Sequence, residues 1–311
     1  MAQNKHIVIA GASGLIGTHL VRRLAERGDH VIRLSRPAST GTSNLEHYSQ
    51  VEDMVWDPSA GQLDQHIVDN ADAVINLAGA SIGGKRWNRQ YKRNILKSRI
   101  DATTTLTRAI RNSSTPPEAF LSASATGYYG FPNYTVDESS DPGDTFLSSV
   151  CERWEMAAHP AMTVGTRLAY LRTGLVMSPE GGALEKLLLP LKLGVGGPLG
   201  SGSQLWSWIT LEDHVRAMLH ILDDERAWGP VNLVSPGAAT NQEVTAALAH
   251  AYHRPSFFKV PAPALRLVVG EFSSEIVSGV RVEPTILKAL DFKFLHTDVS
   301  QMAQWVVSQD G

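Results

Sequence analysis

Apolar residues in the first half of the chain fall in short unbroken runs, separated by longer stretches of helical period. His6-Ile7-Val8-Ile9-Ala10, His30-Val31-Ile32-Arg33-Leu34, Ala71 to Ala78, Phe120 to Ser124 and Arg167 to Leu175 read as strands. Between them, Thr18 to Arg27 sets Leu20, Val21 and Leu24 on one helical face, with Gly28 as a stop. A long helical pattern covers Asn88 to Arg111, with Tyr91, Ile95, Ala102, Leu106 and Ile110 in register, and a shorter one covers Ser148 to Ala158. Apolar runs without polar alternation mark strands buried on both faces. Their alternation with helices predicts an α/β fold with a doubly wound parallel sheet.

After about Ser178 the pattern loosens. Gly194, Gly196, Gly197, Gly200 and Gly202 crowd into one stretch that reads as a loop. Trp206-Ser207-Trp208-Ile209 reads as a short strand with both indoles in the core, Asp213 to Asp223 as a helix, and Val231 to Val234 as a last strand. From Val260 the tail carries Pro261, Pro263 and Pro284 among short elements. The expected organisation is a sheet domain over 1–177, rejoined by a strand near 229–235. A smaller lobe over 178–311 includes a small C-terminal domain at about 260–309.

Length agrees, since 311 residues at about 150 per domain suggests roughly two domains, or one large one with an appendage. Lys plus Arg number 28 against 31 Asp plus Glu, a formal charge of −3, which offers nothing to nucleic acid or an anionic membrane. The one cysteine, Cys151, excludes an intrachain disulfide and a zinc site of several thiolates. The run Ile7 to Ala10 is too short for a secretory signal, and Leu187 to Leu199 is interrupted by Pro190 and Lys192. A cytoplasmic protein without membrane contact is expected, as monomer or homodimer. His250 and His253 lack a third ligand, so no metal is assigned, and Asp137-Glu138 reads as a solvated turn.

The strongest chemical signal is Gly11-Ala12-Ser13-Gly14-Leu15-Ile16-Gly17, between a strand and a helix. Glycine there lets backbone approach a pyrophosphate, and the helix start supplies free N–H groups. Gly11, Ser13, Gly14, Leu15, Ile16 and Gly17 are the candidate phosphate contacts; a glycine-rich turn without a ligand is the alternative. At the end of the second strand stand Ser35 and Arg36, without the acid that holds a ribose 2′-hydroxyl. Guanidinium and hydroxyl suit a 2′-phosphate, which favours NADP over NAD; a solvated turn charge is the alternative. Leu77, Ala78 and Gly79, after Asn76, are small enough at a strand end for adenosine or ribose to lie on backbone.

These motifs, with Ser122-Ala123-Ser124-Ala125-Thr126-Gly127-Tyr128-Tyr129-Gly130, resemble the extended short-chain dehydrogenase/reductases. Arg86-Trp87-Asn88, Ser98-Arg99, Cys151-x-x-Trp154-Glu155, Arg172-x-Gly174-x-Val176, Gly196 to Gly202 and Pro284-x-x-Leu287-x-x-Leu290-x-Phe292 narrow the resemblance. It points to an atypical branch labelled epimerase family proteins, or nucleoside-diphosphate-sugar epimerases, with an appended C-terminal domain. The resemblance implies a Rossmann-type sheet, NADP, a lobe for a small-molecule substrate, and cofactor contacts from Asn94, Arg99 and Val176.

Hydride transfer on such folds uses a Tyr acid, a Lys that lowers its pKa and a Ser that polarises the carbonyl. Ser124 fills the last place and Tyr128 is the candidate acid, with Thr126 and Tyr129 nearby. The Tyr-x-x-x-Lys pair is missing from the Ser148 to Ala158 helix, whose three possible registers give Leu147/Cys151, Cys151/Glu155 and Ser149/Arg153. Lys85-Arg86-Trp87 is a further candidate, for an anionic substrate or as a solvated loop. Two functions remain: an NADP-dependent oxidoreductase or nucleotide-sugar-epimerase-like enzyme, and a non-catalytic NADP(H)-binding or sensing protein.

Overall fold

The structure is a computed structural model that describes residues 4–37 and 48–310. Met1, Ala2, Gln3 and Gly311, the ends of the two expected units, lie outside the described residues. The first half runs β1 (His6–Ala10), α1 (Leu15–Arg27), β2 (His30–Ser35), β3 (Val51–Val55), α2 (Gln65–Asp69) and β4 (Ala73–Asn76). It continues with α3 (Arg89–Asn112), β5 (Ala119–Ala125), α4 (Phe146–Ala158) and β6 (Arg167–Thr173). Then come β7 (Leu175–Met177), α5 (Gly182–Lys192), β8 (Leu205–Trp206), β9 (Trp208–Thr210), α6 (Leu211–Asp223) and β10 (Gly229–Leu233). The chain ends with β11 (Ala239–Thr240), α7 (Asn241–Ala251), α8 (Ala262–Val269), α9 (Ser273–Val277), α10 (Thr285–Ala289) and α11 (Val299–Ser308).

A seven-stranded sheet has the order β10-β6-β5-β4-β1-β2-β3, with every pairing parallel. Ile7 and Ile9 of β1 point into the layer under α1 and α6, and Val8 and Ala10 into the layer under α3. Complete burial of both faces is why the strand sequence does not alternate. Helix α1 ends at Gly28, whose φ of 93° closes the last turn. Asn88, Thr145 and Thr210 cap α3, α4 and α6 through side-chain oxygens.

Several elements depart from the sequence pattern. Strand β3 carries Glu52 and Asp53, and four of its five residues are exposed, so it has no apolar signature. Pairing with β2 at the sheet edge holds it. Strand β4 stops at Asn76, and Leu77-Ala78-Gly79 leaves the sheet. Helix α5 forms despite Pro190 near its end. Two short strands, β8 and β9, replace the single one expected, and they pair with β11 and β7 respectively. The expectation for the indoles holds, since Trp206 and Trp208 both pack in the lobe core.

The reading of Asp137-Glu138 as a solvated turn is correct only for Asp137, which accepts from Ser139 N at 3.0 Å. Glu138 is 8% exposed and accepts the backbone N–H groups of Asn232 (3.0 Å), Thr285 (3.2 Å) and Ile286 (3.2 Å). It thereby ties α10 to β10. Buried Asp213 similarly accepts from Leu295 N and His296 N at 3.0 Å and from Arg216. Two buried carboxylates thus fasten the C-terminal segment, Glu138 to the edge strand β10 and Asp213 to α6.

Glu138→Ala should lower stability by about 2–4 kcal/mol in urea unfolding, because three buried N–H groups lose their acceptor. Asp137→Ala should cost less than about 1 kcal/mol; equal small losses would return Glu138 to the solvent. Buried His214 gives a pH dependence. Burial pushes its imidazole down to about 3, and Nε2 lies 3.0 Å from Thr173 Oγ1. The unfolded chain takes up this proton below pH ~6.5 and the folded chain does not, so stability falls from there towards pH 3. His214→Gln should remove up to about 1.4 kcal/mol per pH unit of that slope. An unchanged slope in the variant would refute the assignment.

Candidate functional site

The glycine turn sits at the C-terminal end of β1, and its three glycines do different work. A Cβ on Gly11, whose φ is 81°, would fall 2.6 Å from the Leu77 carbonyl carbon. One on Gly17 would fall 2.3 Å from Gly11 O. Both are demanded by the protein's own packing. A Cβ on Gly14 would meet only Gly11 O, at 3.5 Å. Among the described residues nothing requires glycine there, and its lack of a side chain leaves the N-terminus of α1 open to an external group. Gly14 is the N-cap and supplies no side-chain oxygen to the first turn. Ser13 is exposed beside it, with Leu15 and Ile16 half-buried. The turn therefore fits a pyrophosphate, which the backbone at Ser13, Leu15 and Ile16 would hold.

The ends of the neighbouring strands β2 and β4 flank the turn. Ser35 closes β2, its carbonyl accepting from Trp56 N, and Arg36 follows in an exposed position. Leu77 N still donates to Ala10 O, after which Asn76 Oδ1 accepts from Ala78 N at 3.1 Å. Asn76 Nδ2 and Trp154 Nε1 both donate to Thr103 Oγ1 at 2.9 Å, which locks β4, α3 and α4 together. Arg99 supports the loop from below. Its Nη1 donates to Ala80 O and Ile95 O, its guanidinium lies 4.9 Å from the Trp154 ring centroid, and burial lowers its pKa. Asn94 is exposed on α3, and Val176 is half-buried on β7, paired with Ile209. The structure thus gathers Gly11 to Gly17, Leu77 and Ala78, while Arg99 makes its contacts with carbonyls and an indole.

Towards β5 and β6 the sequence reading missed a network. Glu155 of α4 receives Ser124 Oγ at 2.7 Å and a bidentate pair from Arg172 Nε and Nη2, both at 2.9 Å. Arg172 Nη1 also donates to Tyr129 Oη at 3.0 Å, and that hydroxyl donates to Asn232 Oδ1 at 2.7 Å. The sole proton of Ser124 is therefore given to Glu155. Tyr128 is half-buried, with the Arg172 guanidinium 3.5 Å from its ring centroid. Burial raises the Tyr128 phenol, and Tyr129 is pushed up to about 12 for the same reason. Cys151 is buried, its thiol pushed up to about 12 by burial and then by Glu155. Arg153, in the third register, is exposed. Arg172 was legible only as part of a motif, because its partner lies on another element.

The loop with Lys85 and Arg86 is exposed, while Trp87 is buried against Phe146 and Phe272. Lys186 of α5 donates to Gly83 O at 2.9 Å, and a Cβ placed on Gly181 would lie 3.7 Å from the Leu15 side chain. The start of the lobe therefore lies across the strand ends. Among the described residues no cluster of His, Cys, Asp or Glu can hold a metal, and no helix is long and apolar enough to cross a membrane.

Fold and turn together define an NAD(P)-binding protein of the Rossmann type. Residues 7–234 match the NAD dependent epimerase/dehydratase family, and residues 260–306 match a domain of unknown function, DUF1731. The chain belongs to the NAD dependent epimerase/dehydratase family, in the branch of the epimerase family proteins. It is 36% identical over 310 residues to such a protein from Mycobacterium bovis, covering 99% of both chains. With another from Staphylococcus saprophyticus it is 37% identical over 298 residues, covering 95% and 97%. Among solved structures, human epimerase family protein SDR39U1 with NADPH superposes with a TM-score of 0.88 at 30% identity, covering 97% of this chain and 99% of that one. UDP-glucuronic acid 4-epimerase from Bacillus cereus with NAD gives 0.78 at 16% identity, covering 98% and 96%, a likeness of fold alone.

The glycines separate in a binding test. Gly14→Val should keep a native far-UV spectrum and melting temperature yet lose measurable dinucleotide affinity in calorimetry. Gly17→Ala should instead lose about 2–4 kcal/mol of stability, since backbone must move. Tight binding by the Gly14 variant would refute the glycine turn as the cofactor site.

Proposed function

We propose that this protein is an NADP(H)-dependent oxidoreductase or epimerase-like enzyme acting on a small carbonyl or sugar substrate. The observation that carries the reading is the open face at Gly14, which no contact among the described residues explains. Cofactor choice rests on the end of β2, where Ser35 and Arg36 stand and no acid follows Leu34 among the described residues up to Pro37. An arginine there suits a 2′-phosphate, and NADPH is the ligand of the human relative. Bound nicotinamide would supply the hydride chemistry. The chain supplies the glycine turn and the polar groups beyond β5, with the substrate entering between the strand ends and the lobe.

A second reading, a non-catalytic NADP(H)-binding protein, is favoured by one observation: α4 turns Cys151 and Glu155 towards Ser124 instead of Tyr and Lys. NADPH oxidation across a panel of aldehydes and ketones separates the two.

NADPH should bind more tightly than NADH by about 1.5–3 kcal/mol, the worth of a charge-assisted contact, or roughly 10- to 150-fold. Arg36→Ala should erase the difference in titration calorimetry. Equal affinities in the unaltered protein would refute the NADP assignment.

A further inference from the structure

Among the groups at the end of β5 and on α4 beside it that bear a transferable proton are Ser124, Tyr128, Tyr129 and Cys151. Three are committed elsewhere. Ser124 gives its proton to Glu155, Tyr129 gives its own to Asn232, and Cys151 is 3% exposed. Tyr128 is half-exposed, and the group that hydrogen-bonds its phenol, the Arg172 guanidinium, can only donate, so the phenol proton is not committed to it. It lies at the C-terminal end of β5, where strand ends of this fold meet ligands.

The charge around Tyr128 is also rearranged. In one register of the missing pair, the position of the lysine is held by Glu155, a carboxylate. The cation that faces the ring comes from β6 instead, as Arg172, and Glu155 already pairs with it in bidentate fashion. The charged groups that act on Tyr128 are Arg172 from β6 and Glu155 and Glu152 from α4, with the Tyr129 ring edge-on at 5.3 Å. Burial and the two carboxylates oppose ionisation, and Arg172 opposes them.

We propose that Tyr128 is the proton donor of this site, seated on the Arg172–Glu155 pair in place of a tyrosine–lysine pair on α4, and that the site serves carbonyl reduction rather than epimerisation. The inference rests on the oxidoreductase reading above. An epimerase working through a keto intermediate must first take a proton from a substrate hydroxyl, which needs a phenolate near pH 7. A phenol without an uncompensated cation stays protonated there and is poised to give a proton rather than to take one. Reduced nicotinamide, when bound, supplies the hydride and its electron pair to the carbonyl carbon. The π pair of the C=O bond moves to oxygen, the Tyr128 O–H bond breaks, and a new O–H bond forms on the substrate. Water then reprotonates the phenolate. Arg172, Glu155 and Ser124 are positioning residues.

The test reads the phenol directly. In protein labelled with tyrosine carrying 13C at Cζ, the resonance missing from Tyr128→Phe identifies Tyr128. Its midpoint should lie above pH ~10. Glu155→Gln, which frees the charge of Arg172, should lower that midpoint by about one pH unit or more. Ser124→Ala, which keeps both charges, should leave it in place. A midpoint below pH ~8 in the unaltered protein would overturn the proposal. So would an unmoved midpoint in a folded Glu155→Gln protein. If that variant does not fold, the unaltered midpoint and the kinetics decide.

Tyr128→Phe should slow NADPH oxidation by aldehydes and ketones roughly 100-fold or more at unchanged NADPH affinity. Conversion of UDP-glucose to its epimer at pH 7 would overturn the assignment. A protein that binds NADPH normally but reduces no compound in the panel also overturns it, leaving the cofactor reading intact. Failure to bind NADPH sinks that reading itself.

Discussion

The ion pair between Arg172 and Glu155 is the interaction on which the far end of the sheet depends. It joins β6 to α4, and through Ser124, Tyr129 and Asn232 it reaches β5 and β10. Arg172 is 4% exposed and Glu155 8%. Two charges removed from water cost several kcal/mol each, and their attraction compensates only where the remaining donors and acceptors are satisfied. Here they are, by a serine hydroxyl and a tyrosine hydroxyl. Burial works against the Arg172 charge, but hydrogen bonding and attraction from Glu155 outweigh it and hold the guanidinium above its ordinary pKa.

The two parts of the candidate site follow different physical logic. At β1 the candidate contacts are backbone, and the requirement there is for the absence of side chains. At β5 and β6 it is a set of side chains whose protons are assigned by their neighbours. The buried thiol of Cys151, beside a carboxylate, has no means of ionising near neutrality. The aromatic ring of Tyr128 shields one side of a guanidinium that is otherwise surrounded by acceptors.

The C-terminal segment is held on by similar means. Glu138 and Asp213 each gather backbone N–H groups from that segment, more than 80 positions away in sequence. Such contacts orient it firmly, because a carboxylate with several N–H donors tolerates little rotation. His19 and Glu180, 2.8 Å apart, and the closeness of the Leu15 side chain to Gly181 bring the start of the lobe against α1.

By itself the sequence determined the buried strands β1, β4, β5 and β6, the helices α1, α3 and α4, and the glycine turn. These depend on contacts within a few residues: a strand buried on both faces must be apolar throughout, and a backbone phosphate site must be glycine-rich. Tertiary structure decided the rest. Strand β3 was invisible because an edge strand exposes its residues and is held by its neighbour's hydrogen bonds. Glu138 looked solvated because the N–H groups that bury it come from residues 232, 285 and 286. Ser124 and Tyr128 were legible as hydroxyls near a strand end. Which of them keeps its proton free was settled by Glu155 and Arg172, brought together from α4 and β6, since a hydrogen bond between side chains on separate elements leaves no periodic trace along the chain.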